Sequence, residues 1–252
     1  MEENQFIRSE MLFGKDKIDS LKTKKVAIFG LGGVGGYVLE ALARMGISNF
    51  ILVDNDKVNI SNLNRQILAT YDCIGKLKCD VAKERILSIN KDANVETYNL
   101  FYLKENADQI DLSTCDYVVD AIDTISAKIH LVKLCDSFNI KIISSMGAGN
   151  KIDPSKIKIC DLFKTENDPV AKVMRYELRK LGIKHLKVCC SNESACNQEK
   201  LIDESTKKTI PASCVYEVGI FGFMIASEVI KDLLKIEWVL ILFLIVFVVD
   251  YF

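Results

Sequence analysis

A doubly wound, mostly parallel α/β sheet is the fold predicted by three features of this 252-residue sequence. Short continuous apolar runs such as "VAIF", "FILV" and "YVVD" read as strands buried on both faces. Between them lie segments with apolar residues at helical spacing. The third feature is a glycine fingerprint, Gly30-x-Gly32-x-x-Gly35, where the first strand gives way to a helix. Strands alternating with helices imply right-handed crossovers and a ligand crevice at the carboxyl ends of the strands.

The elements follow in order. The first strand covers 26–30, and the helix over 34–45 places Val34, Val38, Leu42 and Met45 on one face. A second strand over 49–54 ends in an acid, Asp54. A polar stretch leads to a helix over 76–89 and a strand over 95–99. Residues 116–123 read as a buried strand with acids at its exit, followed by a helix over 127–138 and a strand over 140–145. Beyond Gly147 come a strand over 157–162, a basic helix over 168–181, a polar loop over 191–208 and a long apolar helix over 215–234. With only three prolines and no linker composition, residues 1–235 read as one domain and 236–252 as an apolar tail.

Composition bounds the function. A formal net charge of −1 gives no global sign of nucleic-acid binding, so any such contact rests on a local patch. Nine cysteines without framework spacing predict reduced thiols in a cytoplasmic protein. The opening "MEENQFIRSE" is polar and acidic, unlike a signal peptide. Residues 238–249 are twelve consecutive apolar residues, short of the roughly 20 that a spanning helix needs. They fit a buried terminal element, a dimer contact or shallow membrane attachment, with a true span the least favoured reading.

The fingerprint predicts a nucleotide, because glycines let backbone approach phosphate at a helix N-terminus. Asp54 lies 19 residues after Gly35, where an acid can accept from a ribose hydroxyl. To this point a nicotinamide-dependent oxidoreductase fits equally well. The discriminating stretch is "DNDKVNISNLNRQIL" at 54–68. Arg65, with Lys78 further on, supplies two cations for a triphosphate, and Asp123 at a strand exit can ligate Mg²⁺. Singly, these read as surface charges or a helix cap. Together they describe attack on the α-phosphate of ATP better than hydride transfer.

This combination resembles the ThiF/MoeB-type adenylating enzymes, which include the ubiquitin-activating enzymes. The pattern G-x-G-G-x-G, then D-x-D-x-V-x-x-S-N-x-N-R-Q, then a lysine, then a strand-end aspartate, is nearly intact here. The resemblance covers about 5–235 and implies an ATP-binding adenylation domain there. It assigns Gly30, Gly32, Gly33, Gly35, Asp54, Asp56, Asn64, Arg65, Gln66, Lys78 and Asp123 to ATP and Mg²⁺. It also implies a homodimer in which Arg8, from "FIRSEMLFG", reaches the partner's ATP. The family's first N-terminal arginine is replaced here by Gln5, so that role falls to Arg8 alone.

No C-x-x-C occurs, unlike the zinc-bearing sulfur-carrier activators of the family. The cysteines read mostly as small buried hydrophobes. Cys196, in the polar loop, is the best candidate for a reactive thiol, and a zinc site from Cys189, Cys190, Cys196 and Cys214 is disfavoured by its spacing. Residues 144–183 resemble the tRNA threonylcarbamoyladenosine dehydratase branch. That resemblance implies ATP-dependent adenylation of the threonyl carboxylate on a modified adenosine beside the anticodon. The substrate's own urea-type group then closes a ring with net loss of water. It leaves two further partners open, a cysteine-desulfurase or sulfur-acceptor system and a membrane touched by the tail. The alternative within the family is activation of the C-terminal glycine of a ubiquitin-like sulfur carrier.

The only histidines, His130 and His185, sit where a structural role is expected, and intramolecular ring closure at high effective molarity needs little beyond positioning. The basic helix is expected to dock through Val170, Val173, Met174, Leu178 and Leu181. Arg175, Arg179 and Lys180 would then face outward to grip the anticodon stem-loop of tRNA.

Overall fold

A computed structural model describes residues 4–196, 201–202 and 209–236. Its centre is a seven-stranded sheet in the order β3-β2-β1-β4-β5-β7-β6. The strands are β1 (Lys25–Phe29), β2 (Asn49–Val53), β3 (Asn94–Tyr98), β4 (Tyr117–Asp120), β5 (Lys141–Ser145), β6 (Ile157–Asp161) and β7 (Lys187–Ser191). All pairs are parallel except β6 with β7. Chain direction across the sheet reverses at β1, which pairs with β2 on one side and β4 on the other. That switch point leaves a crevice above the carboxyl ends of β1 and β4.

The helices are α1 (Ile7–Phe13), α2 (Lys15–Leu21), α3 (Gly35–Arg44), α4 (Lys78–Ile89), α5 (Ile125–Ser137), α6 (Pro169–Lys180) and α7 (Val215–Leu234). A two-stranded ribbon, β8 (Leu201–Ile202) with β9 (Thr209–Ile210), lies outside the main sheet. Strand alternation divides the core. Val26 and Ile28 of β1 join Leu39, Leu42, Phe221 and Ile225 beneath α3 and α7. Ala27 and Phe29 join Ile51, Val118 and Leu131 beneath α5 on the opposite face. A third cluster seats α6 through Met174 and Leu178 against Val188 and Cys190 of β7.

Two glycines are demanded by close approach. A Cβ at Gly35 would lie 1.8 Å from the Gly30 carbonyl oxygen, so α3 can start against β1 only without a side chain there. A Cβ at Gly222 would meet Tyr37 Cβ at 2.5 Å and the Val34 carbonyl at 2.7 Å, where α7 crosses α3.

Most elements lie within a few residues of their expected bounds, and α7 matches its expected 215–234. Two differ. The sequence reading has no strand at 187–191, yet "KVCCS" forms β7 and carries the sheet's turn to antiparallel pairing. Its five residues follow a lysine-rich stretch and hold too few apolar positions to show a period. Helix α6 docks through only part of the expected stripe, Val170, Met174 and Leu178. Ala171, Met174 and Leu178 are buried, while Val173 and Leu181 are exposed. Pro169 at the first position and the Asp168 cap start the helix one residue late.

Among the described residues no helix is long and apolar enough to cross a membrane. The apolar run 238–249 lies outside them.

Candidate nucleotide-binding site

Past Phe29 the chain turns at Gly30, whose φ of 88° places it in the left-handed region that suits glycine. The Gly30 amide donates to the Val53 carbonyl at 2.9 Å, tying the loop to the end of β2. Asp54 completes the tie: its carboxylate accepts from the Leu31 amide at 2.6 Å and the Asp56 amide at 2.8 Å. Burial raises the Asp54 carboxyl above the ordinary aspartate range, and Lys78 and the two amides offset this only in part. An acid so held is aimed by backbone, as a ribose-hydroxyl acceptor must be.

Lys78 opens α4 with its side chain buried and its Nζ 2.7 Å from Asp56 Oδ2. Its amide also donates to the Asp56 carbonyl at 2.9 Å, so the lysine is fixed at both ends. Arg65 follows a short 3-10 turn capped by Asn59, and its Nη1 donates to the Ser61 carbonyl and to Asn64 Oδ1, each at 2.9 Å. Asp123 is exposed just beyond β4, its Oδ1 accepting from Thr124 Oγ1 at 3.3 Å.

One cavity of about 810 Å³ joins these groups. Gly30, Gly32, Gly33, Asp54, Asp56, Arg65, Gln66, Lys78 and Asp123 all line it. Gly35 does not, being packed beneath the loop against Gly30. Asn64 also stays outside, its Nδ2 donating to the Ser213 carbonyl at 3.1 Å. Arg8 is exposed on α1, beside Ser9, whose hydroxyl points to Met45 at the far end of α3. The described chain therefore does not bring Arg8 to its own cavity.

The sequence reading missed Lys128, which also lines the cavity and is buried. Its Nζ lies 3.0 Å from the Asp120 carboxylate and donates to the Ile122 carbonyl at 3.0 Å. The pair clamps the turn that presents Asp123. A lysine on the buried Ala127–Leu131 face of α5, eight residues after a strand-end acid, was the available signal.

Of the proposed tRNA contacts, Arg175 points inward. Its Nη1 donates to the Thr165 carbonyl at 3.0 Å and also to Thr165 Oγ1. Arg179 lies over the Phe163 ring, while Lys180 pairs with Glu177 at 3.0 Å and sits 3.9 Å from the Tyr176 ring centre. None of the three lines the cavity.

Burial pushes the Cys79 thiol up to about 12 and the Cys190 thiol to about 12, which makes both poor nucleophiles. Cys196 is half-buried, its Sγ 3.7 Å from Glu193 Oε1. His130 Nδ1 shares a 2.9 Å hydrogen bond with the Tyr102 hydroxyl.

Comparison with known proteins agrees with this geometry. The sequence matches the ThiF family over residues 6–244. It is 41% identical to a tRNA threonylcarbamoyladenosine dehydratase of Bacillus subtilis (strain 168), covering 92% of this chain and 95% of that one. A protein of the same name from Haemophilus influenzae is 35% identical, covering 89% of this chain and 91% of its own length. The crystal structure of the Escherichia coli tRNA N6-threonylcarbamoyladenosine dehydratase TcdA in complex with AMP superposes with a TM-score of 0.84 at 30% identity, covering 92% of this chain and 94% of that one. The same enzyme in complex with ATP gives a TM-score of 0.82. The chain belongs to the ThiF family, within the branch of the tRNA threonylcarbamoyladenosine dehydratases.

Proposed function

We propose that this protein uses ATP to dehydrate N6-threonylcarbamoyladenosine in tRNA to its cyclic form. One observation carries the reading: Asp54, Arg65, Lys78 and Asp123 gather around the glycine loop in a single cavity, in a chain 41% identical to a relative bearing that name.

ATP lies with its ribose at Asp54 and its phosphates over the loop of Gly30, Gly32 and Gly33. The threonyl carboxylate oxygen attacks the α-phosphorus, forming an acyl-adenylate, and the bond to the β-phosphate oxygen breaks to release pyrophosphate. Arg65 and Lys78 neutralise the charge that builds on the phosphates, and both are already oriented by protein acceptors. Asp123 suits Mg²⁺, which takes one or two carboxylates and completes its shell with phosphate oxygens and water. Bound there, the ion supplies charge neutralisation. In the second stage the urea-type group of the same side arm attacks the acyl carbon and AMP leaves, for a net loss of one water from the nucleoside. Ring closure within one molecule draws on positioning rather than an enzyme nucleophile. Arg8 acts across a homodimer, in the partner's cavity.

Mass spectrometry of nucleosides tests this, using tRNA carrying threonylcarbamoyladenosine incubated with the protein and ATP–Mg²⁺. The expected result is ATP-dependent loss of one water, abolished by Arg65→Ala. An unchanged nucleoside, with ATP shown to bind, would contradict it.

A further inference from the structure

Two of the nine cysteines touch. Cys160 on β6 and Cys190 on β7 hold their sulfurs 3.5 Å apart, and either thiol can donate to the other. The antiparallel register accounts for the contact: Cys160 pairs with Val188 and Cys190 with Lys158, so the two cysteines lie diagonally across the ladder on one face. That face is the one α6 covers. There Cys190 and Val188 pack with Met174 and Leu178, and Cys160 lies against them. Cys189, between them in the chain, points the other way, its Sγ 3.9 Å from the Phe221 carbonyl. Among the described residues no other two cysteine sulfurs are in hydrogen-bonding contact.

The two thiols differ as a stepwise oxidation requires. Cys160 is partly exposed and Cys190 is buried, so a solution oxidant meets Cys160 first. Cys190 is a poor nucleophile toward outside reagents, but at 3.5 Å it needs no encounter to reach Cys160. Lys158, two residues before Cys160 on the same strand face and opposite Cys190 in register, places a cation beside the pair. Such a charge favours the thiolate. A disulfide bond of about 2.05 Å is within side-chain rotation of this contact.

The sulfurs also lie beside a clamp on the nucleotide cavity. Ser191 follows Cys190 directly, and its carbonyl accepts from the buried Lys151 Nζ at 3.4 Å. Lys151 donates as well to the Gly147 carbonyl at 2.6 Å and meets Asp168 at 3.4 Å. Buried Asp168 caps α6 through the Ala171 amide at 2.9 Å and accepts from the Gly147 amide at 3.1 Å. Gly147 lines the cavity. Strand β7 and helix α6, the elements that enclose the sulfurs, therefore both hold the 147–151 loop.

We propose that Cys160 and Cys190 are an oxidative-modification site, which a peroxide closes to a reversible disulfide that slows the enzyme by shifting the β7–α6 clamp. The Cys160 sulfur attacks one peroxide oxygen; a sulfur–oxygen bond forms, the oxygen–oxygen bond breaks, and the thiol proton leaves with the other oxygen as water. The Cys190 sulfur then attacks the Cys160 sulfur, and the hydroxyl leaves with the Cys190 proton as a second water. The two thiols lose two electrons in all, which the peroxide takes up. A dithiol reductant reverses the change by thiol–disulfide exchange. The cross-link is independent of the function proposed above, whereas its effect on rate rests on that reading.

The test treats reduced full-length wild type, Cys160→Ser and Cys190→Ala with hydrogen peroxide. Tryptic peptides are mapped without reduction, and nucleoside dehydration is measured before oxidation, after it and after dithiothreitol. The expected result is a link between peptides 159–164 and 188–200 in wild type, missing from both variants. The wild-type rate should fall at least about fivefold on oxidation and return on reduction, while both variants stay within about twofold of their own starting rates. No linked peptide in wild type would overturn the site, and so would a link that persists in Cys190→Ala. A link that leaves the rate unchanged would overturn the switch. Reduced wild type that never dehydrates the nucleoside would contradict the functional reading, and the peptide map would still decide the modification site.

Discussion

Lys78 Nζ lies 2.7 Å from Asp56 Oδ2, joining the first turn of α4 to the polar stretch that follows β2. The two ends of this pair differ in environment: the Lys78 side chain is 6% exposed and that of Asp56 is 57% exposed. The ammonium is thus held from one side and faces the cavity on the other. Asp56 holds it ready for phosphate rather than neutralising it in a closed pair.

Lys78→Ala is accordingly expected to lower kcat/KM by about 10²–10³, the scale for removing one oriented group that stabilises transition-state charge. Lys78→Arg should restore little, because a planar fork does not replace a compact ammonium at a fixed point. Thermal unfolding should barely change, since Asp56 regains water when its partner goes. Steady-state rates of nucleoside dehydration and a melting curve check both parts.

Asp54 links activity to a stability cost. Burial raises its folded carboxyl above the ordinary range, so the folded state holds that proton more tightly than the unfolded chain. The stability this group contributes is therefore full at low pH and lost as pH rises through the raised value. At neutral pH Asp54→Asn should weaken ATP binding by about 10- to 100-fold, as expected for a lost charged hydrogen bond of roughly 1.5–3 kcal/mol, and any relief of the buried charge is offset because one of the Leu31 and Asp56 amides loses its acceptor. ATP titrations across pH should show wild-type affinity falling on acidification, with the asparagine variant flat.

Glu40 shows the opposite sign. Burial alone would raise it, but Arg85 and Arg44 overcome that and hold the carboxyl below the ordinary glutamate range. Its stabilising contribution is present above the unfolded value and lost as pH falls through the lowered one. Arg85 binds Glu40 through Nε at 2.7 Å and Nη2 at 2.8 Å. Arg85→Ala should cost about 1–3 kcal/mol by leaving a buried carboxylate short of donors. Denaturant melts should show that loss at neutral pH and a smaller one at acid pH.

The fingerprint glycines should separate by role. Gly35→Ala places a Cβ 1.8 Å from the Gly30 carbonyl and is expected to prevent proper packing of α3 on β1. At Gly32 the nearest atom to an added Cβ is Gln66 Nε2 at 3.8 Å, so Gly32→Ala should fold normally and lose ATP affinity. Circular dichroism with ATP titration distinguishes the two. A pair behaving alike would contradict this division.

What the sequence made legible was local along the chain. Gly30, Gly32 and Gly33 lie in one loop and Asp54, Asp56, Arg65 and Gln66 in one connection, so motif spacing and the family pattern reach them together, and strand-to-helix alternation puts Lys78 and Asp123 at the same sheet edge; all nine line the cavity. What stayed hidden depends on partners distant in sequence or on which way a helix rolls. Lys128 reads as an ordinary helix lysine until Asp120 is seen beneath it. Lys151 and Asp168 acquire meaning only when α6 docks beside the β5 exit. Arg175 has the spacing of an outward cation, but its guanidinium meets Thr165 instead. Asn64 fits the family pattern, yet its side chain serves the 213 segment.

The central claim is that the substrate carboxylate attacks the α-phosphorus of ATP. It is tested most directly by oxygen transfer, using tRNA whose threonylcarbamoyladenosine carries ¹⁸O in its carboxylate. After one round of reaction with ATP–Mg²⁺, the account predicts AMP containing one labelled oxygen and unlabelled pyrophosphate. Label-free AMP alongside cyclised nucleoside would contradict carboxylate adenylation.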